Sequence, residues 1–169
     1  MAGASRDDGP IVVGVDGSAA ANAALRWAAE EAARRQGRLD AVIAWRPTAT
    51  FGPPAGHPPA SSRTLAEREE DAELMLEEAL AQLAANGLQV ERRVMRGSPH
   101  RVLMEAAEGA SLLVIGGHSG KLAGKMPWST GRQLVSEARC PVVVVPPGGA
   151  APHASAVSSS EPHSSATDS

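Results

Sequence analysis

At 169 residues the chain has room for one ordinary domain. Its 43% hydrophobic and 21% charged residues are typical of a soluble globular protein, while 2% aromatic residues and no Tyr argue against ring-stacking RNA sheets and exclude tyrosine chemistry. The formal net charge of -3 gives no broad attraction to nucleic acid or anionic lipid, and a single cysteine, Cys140, excludes an intrachain disulfide and a cysteine-based zinc site.

Met1 to Pro10 is small and polar, without the apolar core of a secretion signal, and no apolar run approaches the roughly 20 residues that span a bilayer. The expectation is a cytoplasmic protein. Residues 1–9 read as a disordered N-terminus and 10–146 as the folded domain. Residues 147–169, rich in Ser, Pro and Ala, read as a tail that cannot bury enough surface to offset its ordering entropy.

Ile11 to Val15 is β-branched and mostly apolar, as a strand covered on both faces should be. Asp16-Gly-Ser18 then leads into an Ala-rich helix with Ala21, Leu25, Ala28 and Ala32 on one face and Gly37 as its stop. Leu39 to Trp45 is the second strand. Arg46 to Ser62, with five prolines, is a long polar connection of the kind that is usually functional or mobile. Thr64 to Asn86 is the clearest helix, with Ala72, Met75, Leu76, Ala79, Leu80 and Leu83 as its buried stripe. Leu88 to Met95 alternates as a third strand. Pro99 opens a helix carrying Val102, Leu103 and Ala106, and Leu112 to Ile115 is the fourth strand. Leu134, Val135 and Ala138 mark a last helix before the strand Val142 to Val145.

Strands alternating with helices imply parallel strands joined by right-handed crossovers, a three-layer α/β/α sandwich. Ligands of such sheets bind beyond the carboxyl ends of the strands, which directs attention to Asp16, Trp45 and the loop after Ile115. Gly14-Val15-Asp16-Gly-Ser18 could offer a carboxylate to a ribose or to a cation near phosphates, or Asp16 and Ser18 could simply cap the helix. Gly116-Gly117-His-Ser-Gly120, followed by Lys121, Lys125 and Ser129, could bring backbone N–H groups to an anion, or be a loop with solvated lysines and an N-cap. Neither segment is a P-loop or GxGxxG.

His57, His100, His118, His153 and His163 are not spaced for a metal on one helical face and read as surface residues. Cys140, before Pro141, reads as a small buried hydrophobe rather than a reactive thiol. Trp27 and Trp128 suit either a pocket or simple burial.

Taken in order, IVVGVDGS at residues 11–18, NAALRWA from Asn22, VIAWRP from Val42, GSPHRVLMEAAE from Gly97, SLLVIGG from Ser111 and RQLVSEARCPVVVVP from Arg132 resemble the universal stress protein family. The likeness runs from Pro10 to Pro146 and suggests a single-domain, actinobacterial-type member. It implies a five-stranded parallel sheet of order 3-2-1-4-5, Rossmann-like and similar to the adenine nucleotide alpha hydrolases, usually assembled as a homodimer. A physical motive for the dimer is Val142 to Val145, an uncharged apolar strand that, at an edge, invites pairing with its twin.

The resemblance further implies a stress-response binding or regulatory module with an ATP site, and Mg2+ if ATP is bound. Its nucleotide-binding residues would be Gly14, Val15, Asp16, Ala44, Trp45, Gly116, Gly117, Gly120, Ser129 and Thr130. The family's pattern is Gly, two residues, Gly, nine residues, Gly, then Ser or Thr. Here Gly117 and Gly120 supply the first half, but Lys121 to Pro127 spans seven residues and Trp128 stands where the last glycine belongs. A register from Gly116 puts Ser119 on the second glycine with one residue missing. The alternatives are a slow ATP hydrolase or nucleotidyl-transferring relative of the same fold, and a nucleotide-free protein–protein adaptor using the Arg46 to Ser62 loop or the tail.

Overall fold

Strands and helices alternate along the described residues, nine elements in all, and several begin where local chemistry directs them. The computed structural model describes residues 9–47, 64–83, 87–117 and 129–148, the side chains of Ser129 and Thr130 excepted. The N-terminal eight residues, most of the proline-rich connection, His57, His118, Gly120, Lys121, Lys125, Trp128 and the tail lie outside the described residues.

The strands are β1 (Ile11–Val15), β2 (Arg38–Trp45), β3 (Gln89–Arg96), β4 (Leu112–Gly116) and β5 (Val142–Val145). The helices are α1 (Ala19–Arg34), α2 (Leu65–Ala81), α3 (Pro99–Ala106) and α4 (Ser129–Glu137). Three helix starts follow from side-chain caps. Ser18 Oγ accepts from Ala21 N–H, Ser98 Oγ accepts from Arg101 N–H, and Thr64 with Glu67 forms a reciprocal capping box. Pro99 occupies the first turn of α3, where its missing N–H costs nothing.

The strands form one parallel sheet of order β3-β2-β1-β4-β5, as the family resemblance implied. Val13 lies beside Ala41 and Val114, and Leu113 beside Val142. The two sheet faces carry separate cores. Under α1 and α2 lie Ile11, Val13, Leu39, Ile43, Leu25 and Leu76; under α3 and α4 lie Val12, Val42, Leu113, Val102 and Leu134. Each such side chain contributes about 1.5–3 kcal/mol on burial.

Two residues expected in helical stripes face outward: Met75 is 40% exposed and Val135 56%. Met75 stands at the carboxyl rim of the sheet, where α2 borders a cleft instead of the core, and among the described side chains Leu134 alone anchors α4 as a fully buried residue. Helix α2 also stops at Ala81, short of the expected Asn86.

Asp40 is the one charged side chain buried in the sheet among the described residues. Arg38 Nε donates to its Oδ1 at 2.9 Å and Arg93 Nη1 lies 3.8 Å from Oδ2, so the carboxylate is compensated from its own strand and from β3. The sheet's two edges differ in kind. Glu91, Arg92, Arg93 and Arg96 charge β3, which guards it against pairing, whereas β5 has no charge and leaves Val144 41% exposed.

Candidate functional site

The carboxyl ends of β1, β2 and β4 converge on one rim, so the local sequence at each end decides what the rim can do. At the end of β1, the Asp16 carboxylate is exposed and its Oδ1 accepts from Ser18 N–H at 2.9 Å. The turn passes through Gly17 at a φ of 77°, a conformation glycine adopts without strain, and a Cβ there would meet the Met75 sulfur at 2.9 Å. The capping reading of Asp16 and Ser18 is therefore satisfied. One oxygen of Asp16 remains for a further partner.

A cleft of about 310 Å³ opens beside Asp16. Ile43, Ala44, Trp45 and Arg46 form its β2 wall, and Arg68, Asp71, Ala72 and Met75 form its α2 wall. Three sequence candidates, Asp16, Ala44 and Trp45, thus meet in one place. Gly14 and Val15 lie behind them in β1; a Cβ at Gly14 would press on Leu103 at 3.2 Å, and Val15 is buried.

Trp45 is nine-tenths buried and held from β3. The Arg96 guanidinium lies over its ring, 5.7 Å from the centroid, and Gly97 N–H donates to its carbonyl oxygen at 2.9 Å. The indole Nε1–H is a buried donor with no hydrogen-bond partner among the described residues.

The glycines at the end of β4 have a reason of their own. A Cβ on Gly116 would sit 2.6 Å from the backbone carbon of Ala20 and the backbone nitrogen of Ala21, so the first turn of α1 rests directly on this residue. Gly117 N–H donates to Val145 O at 2.7 Å, and a Cβ on Gly117 would lie 2.9 Å from Val144 Cγ1. Ser129 and Thr130 open α4. Gly120 lies outside the described residues.

Sequence reasoning missed Arg46, Arg68, Asp71 and Met75 as lining residues: Arg46 reads as the start of a polar connection, Met75 as part of a buried stripe, and Arg68 and Asp71 as part of a solvated, charged helix start. A signal was present: a helix that follows a long connection from a strand's carboxyl end must begin at the rim. Elsewhere, His100 Nε2 is 3.1 Å from Glu137 Oε2, tying α3 to α4. Burial pushes the Cys140 thiol up from its ordinary pKa, against backbone hydrogen bonds that pull it down. Among the described residues no three His, Cys, Asp or Glu side chains are grouped to hold a metal, and no helix is long and apolar enough to cross a membrane.

Comparison with known proteins places this geometry. The model of the Universal stress protein family matches residues 9–146. A universal stress protein of Mycolicibacterium smegmatis is 36% identical over 141 residues, which is 82% of this chain and 46% of that protein. The chain thus spans about half the length of the curated relatives it matches. A crystal structure of a universal stress protein family member from Burkholderia pseudomallei is 28% identical and superposes with a TM-score of 0.61, covering 83% of this chain and 97% of that one. A universal stress protein solved in complex with cAMP shares the fold at 22% identity and a TM-score of 0.51, over 81% of this chain and 96% of the other.

Proposed function

Because the chain belongs to the universal stress protein family, we propose that it is a stress-response binding module whose rim takes an adenine nucleotide without turning it over. The observation that carries this reading is the cleft beside Asp16, Ala44 and Trp45, at the end of the sheet where parallel α/β folds hold ligands. A neighbour of the same fold was solved with cAMP, which makes adenine nucleotides the first probes.

In this reading Asp16 accepts from a ribose hydroxyl through the oxygen that Ser18 leaves, with Gly14 and Val15 as the backbone behind it. Ala44 and Trp45 flank the base. The family resemblance assigns Gly116, Gly117, Gly120, Ser129 and Thr130 to the phosphates. Gly117 N–H is already donated to Val145, and Trp128 stands where a glycine would let backbone reach phosphate oxygens. Both features favour a short or cyclic phosphate over ATP. Mg2+ enters only on the phosphates of ATP, if ATP is taken. The uncharged, part-exposed β5 supports a homodimer in which Val142–Val145 pairs with its own copy.

Isothermal calorimetry with AMP, cAMP and ATP on the wild type and on Trp128→Gly tests the proposal. Saturable heat from the wild type supports it, with ATP weaker than AMP and strengthened by Trp128→Gly. No heat from any nucleotide in either protein favours an adaptor that has lost the ligand. Sustained phosphate release from ATP, abolished by Asp16→Ala, favours a slow hydrolase.

A further inference from the structure

Helix caps, core packing and the proposed ribose contact leave one feature of the cleft unexplained, the buried Trp45 Nε1–H, which has no partner among the described residues. Buried donors in native proteins are overwhelmingly satisfied, so this one calls for an acceptor, from water or from a ligand, that the described residues do not supply. Trp45 is also held from outside the cleft. It pairs with Arg96 across the β2–β3 ladder, its ring lies under the Arg96 guanidinium, and its carbonyl is tied to Gly97.

We infer that Trp45 is a specificity-determining residue whose indole N–H donates to an acceptor at the inner end of the bound ligand, and that Arg96 is the positioning residue that holds the ring for it. The inference rests on the nucleotide reading above. The acceptor is a ring nitrogen or carbonyl oxygen of a planar heterocycle, the class of group suited to a cleft whose lining includes Ala44, Trp45 and Met75. The donor is covered by its surroundings, so engagement requires a small rotation of the indole or its neighbours. The Arg96 guanidinium over the ring and the Gly97 bond to the Trp45 carbonyl hold the residue from the β3 side. Arg96 therefore acts on the ligand only through Trp45. Its charge at the rim is a separate matter, shared with any cation placed there.

The chain has three tryptophans, so protein labelled with 15N-tryptophan shows three indole N–H resonances, and Trp45→Phe identifies one of them. AMP is the probe, with calorimetry in parallel on the wild type, Trp45→Phe, Arg96→Ala and Arg96→Lys. The inference expects AMP to move the Trp45 indole resonance downfield as the donor gains an acceptor. It expects Trp45→Phe, which keeps a ring but loses the N–H, to weaken AMP about tenfold. Arg96→Ala should weaken AMP severalfold and shrink the shift of the Trp45 resonance, while Arg96→Lys, which retains a cation over the ring, restores part of both. AMP that binds by calorimetry while the Trp45 indole resonance stays in place overturns this inference and leaves the nucleotide reading standing. No binding of AMP to the folded wild type overturns both. Equal losses in Arg96→Ala and Arg96→Lys with a full indole shift overturn the positioning role alone.

Discussion

Gly116→Ala tests whether the glycine at the end of β4 is there for packing. The added Cβ would lie 2.6 Å from Ala20 C and Ala21 N and 2.8 Å from Ala20 O. These are backbone atoms at the capped start of α1, which cannot turn aside as a flexible side chain could, so α1 or β4 must shift. Overpacking of a filled site costs about 1–3 kcal/mol, and a backbone obstacle places this variant near 3 kcal/mol. Against a typical total of roughly 5–15 kcal/mol that is a large loss, worth about 10 °C in Tm for a domain of this size. Gly131→Ala is the internal control. Among the described residues its Cβ meets only Ile115 Cδ1 at 3.7 Å, and an alanine inside α4 should raise stability by up to about 1 kcal/mol. Urea denaturation at one fixed protein concentration and without nucleotide separates the two, since both ligand and dimer binding would raise apparent stability. If Gly116→Ala is as stable as the wild type within about 0.5 kcal/mol, the close seat of α1 on β4 is wrong.

Ser18→Ala removes the acceptor for Ala21 N–H and should cost about 1 kcal/mol by the same denaturation; an unchanged midpoint would show that the α1 cap is not formed. Asp40→Ala leaves Arg38 and Arg93 without their shared carboxylate, and because both arginines reach solvent the loss should be about 1–2 kcal/mol, less than for a fully buried pair; a neutral effect would contradict the network. Desolvation disfavours the Cys140 thiolate, so at pH 7 less of it is ionised than in a free thiol and iodoacetamide should label it more slowly, the rate rising only at higher pH. Labelling faster than free cysteine at pH 7 would refute the burial argument. Val144→Lys charges the exposed β5 edge and should turn a dimer into a monomer in analytical ultracentrifugation; an unaltered dimer would place the interface elsewhere.

The strands and helix starts were legible because their causes are local. Ile11–Val15, Leu112–Gly116 and Val142–Val145 are short apolar runs of the kind that buried parallel strands require, and Ser18, Thr64 and Ser98 each precede a helix they cap. What stayed hidden depends on residues far apart in the chain. Asp40 looks out of place in an apolar strand until β3 brings Arg93 beside it. Trp45 lies opposite Arg96 only because β2 and β3 run in register. The same holds at the site. Asp16, Ala44 and Trp45 could be named from strand ends, whereas Arg46, Arg68, Asp71 and Met75 become neighbours only when α2 folds back along β2. The glycines of β4 illustrate the opposite error. A motif that suggests phosphate also serves to admit the first turn of α1.

Backbone amide shifts on titration with AMP test most directly whether the carboxyl rim is the binding site. The account predicts saturable movement of Val15, Asp16, Gly17, Ala44, Trp45 and Arg46, with Asp40, Ser111 and Leu112 near the opposite end of the sheet unmoved. Shifts confined to that opposite end, or none at saturating AMP, would contradict it.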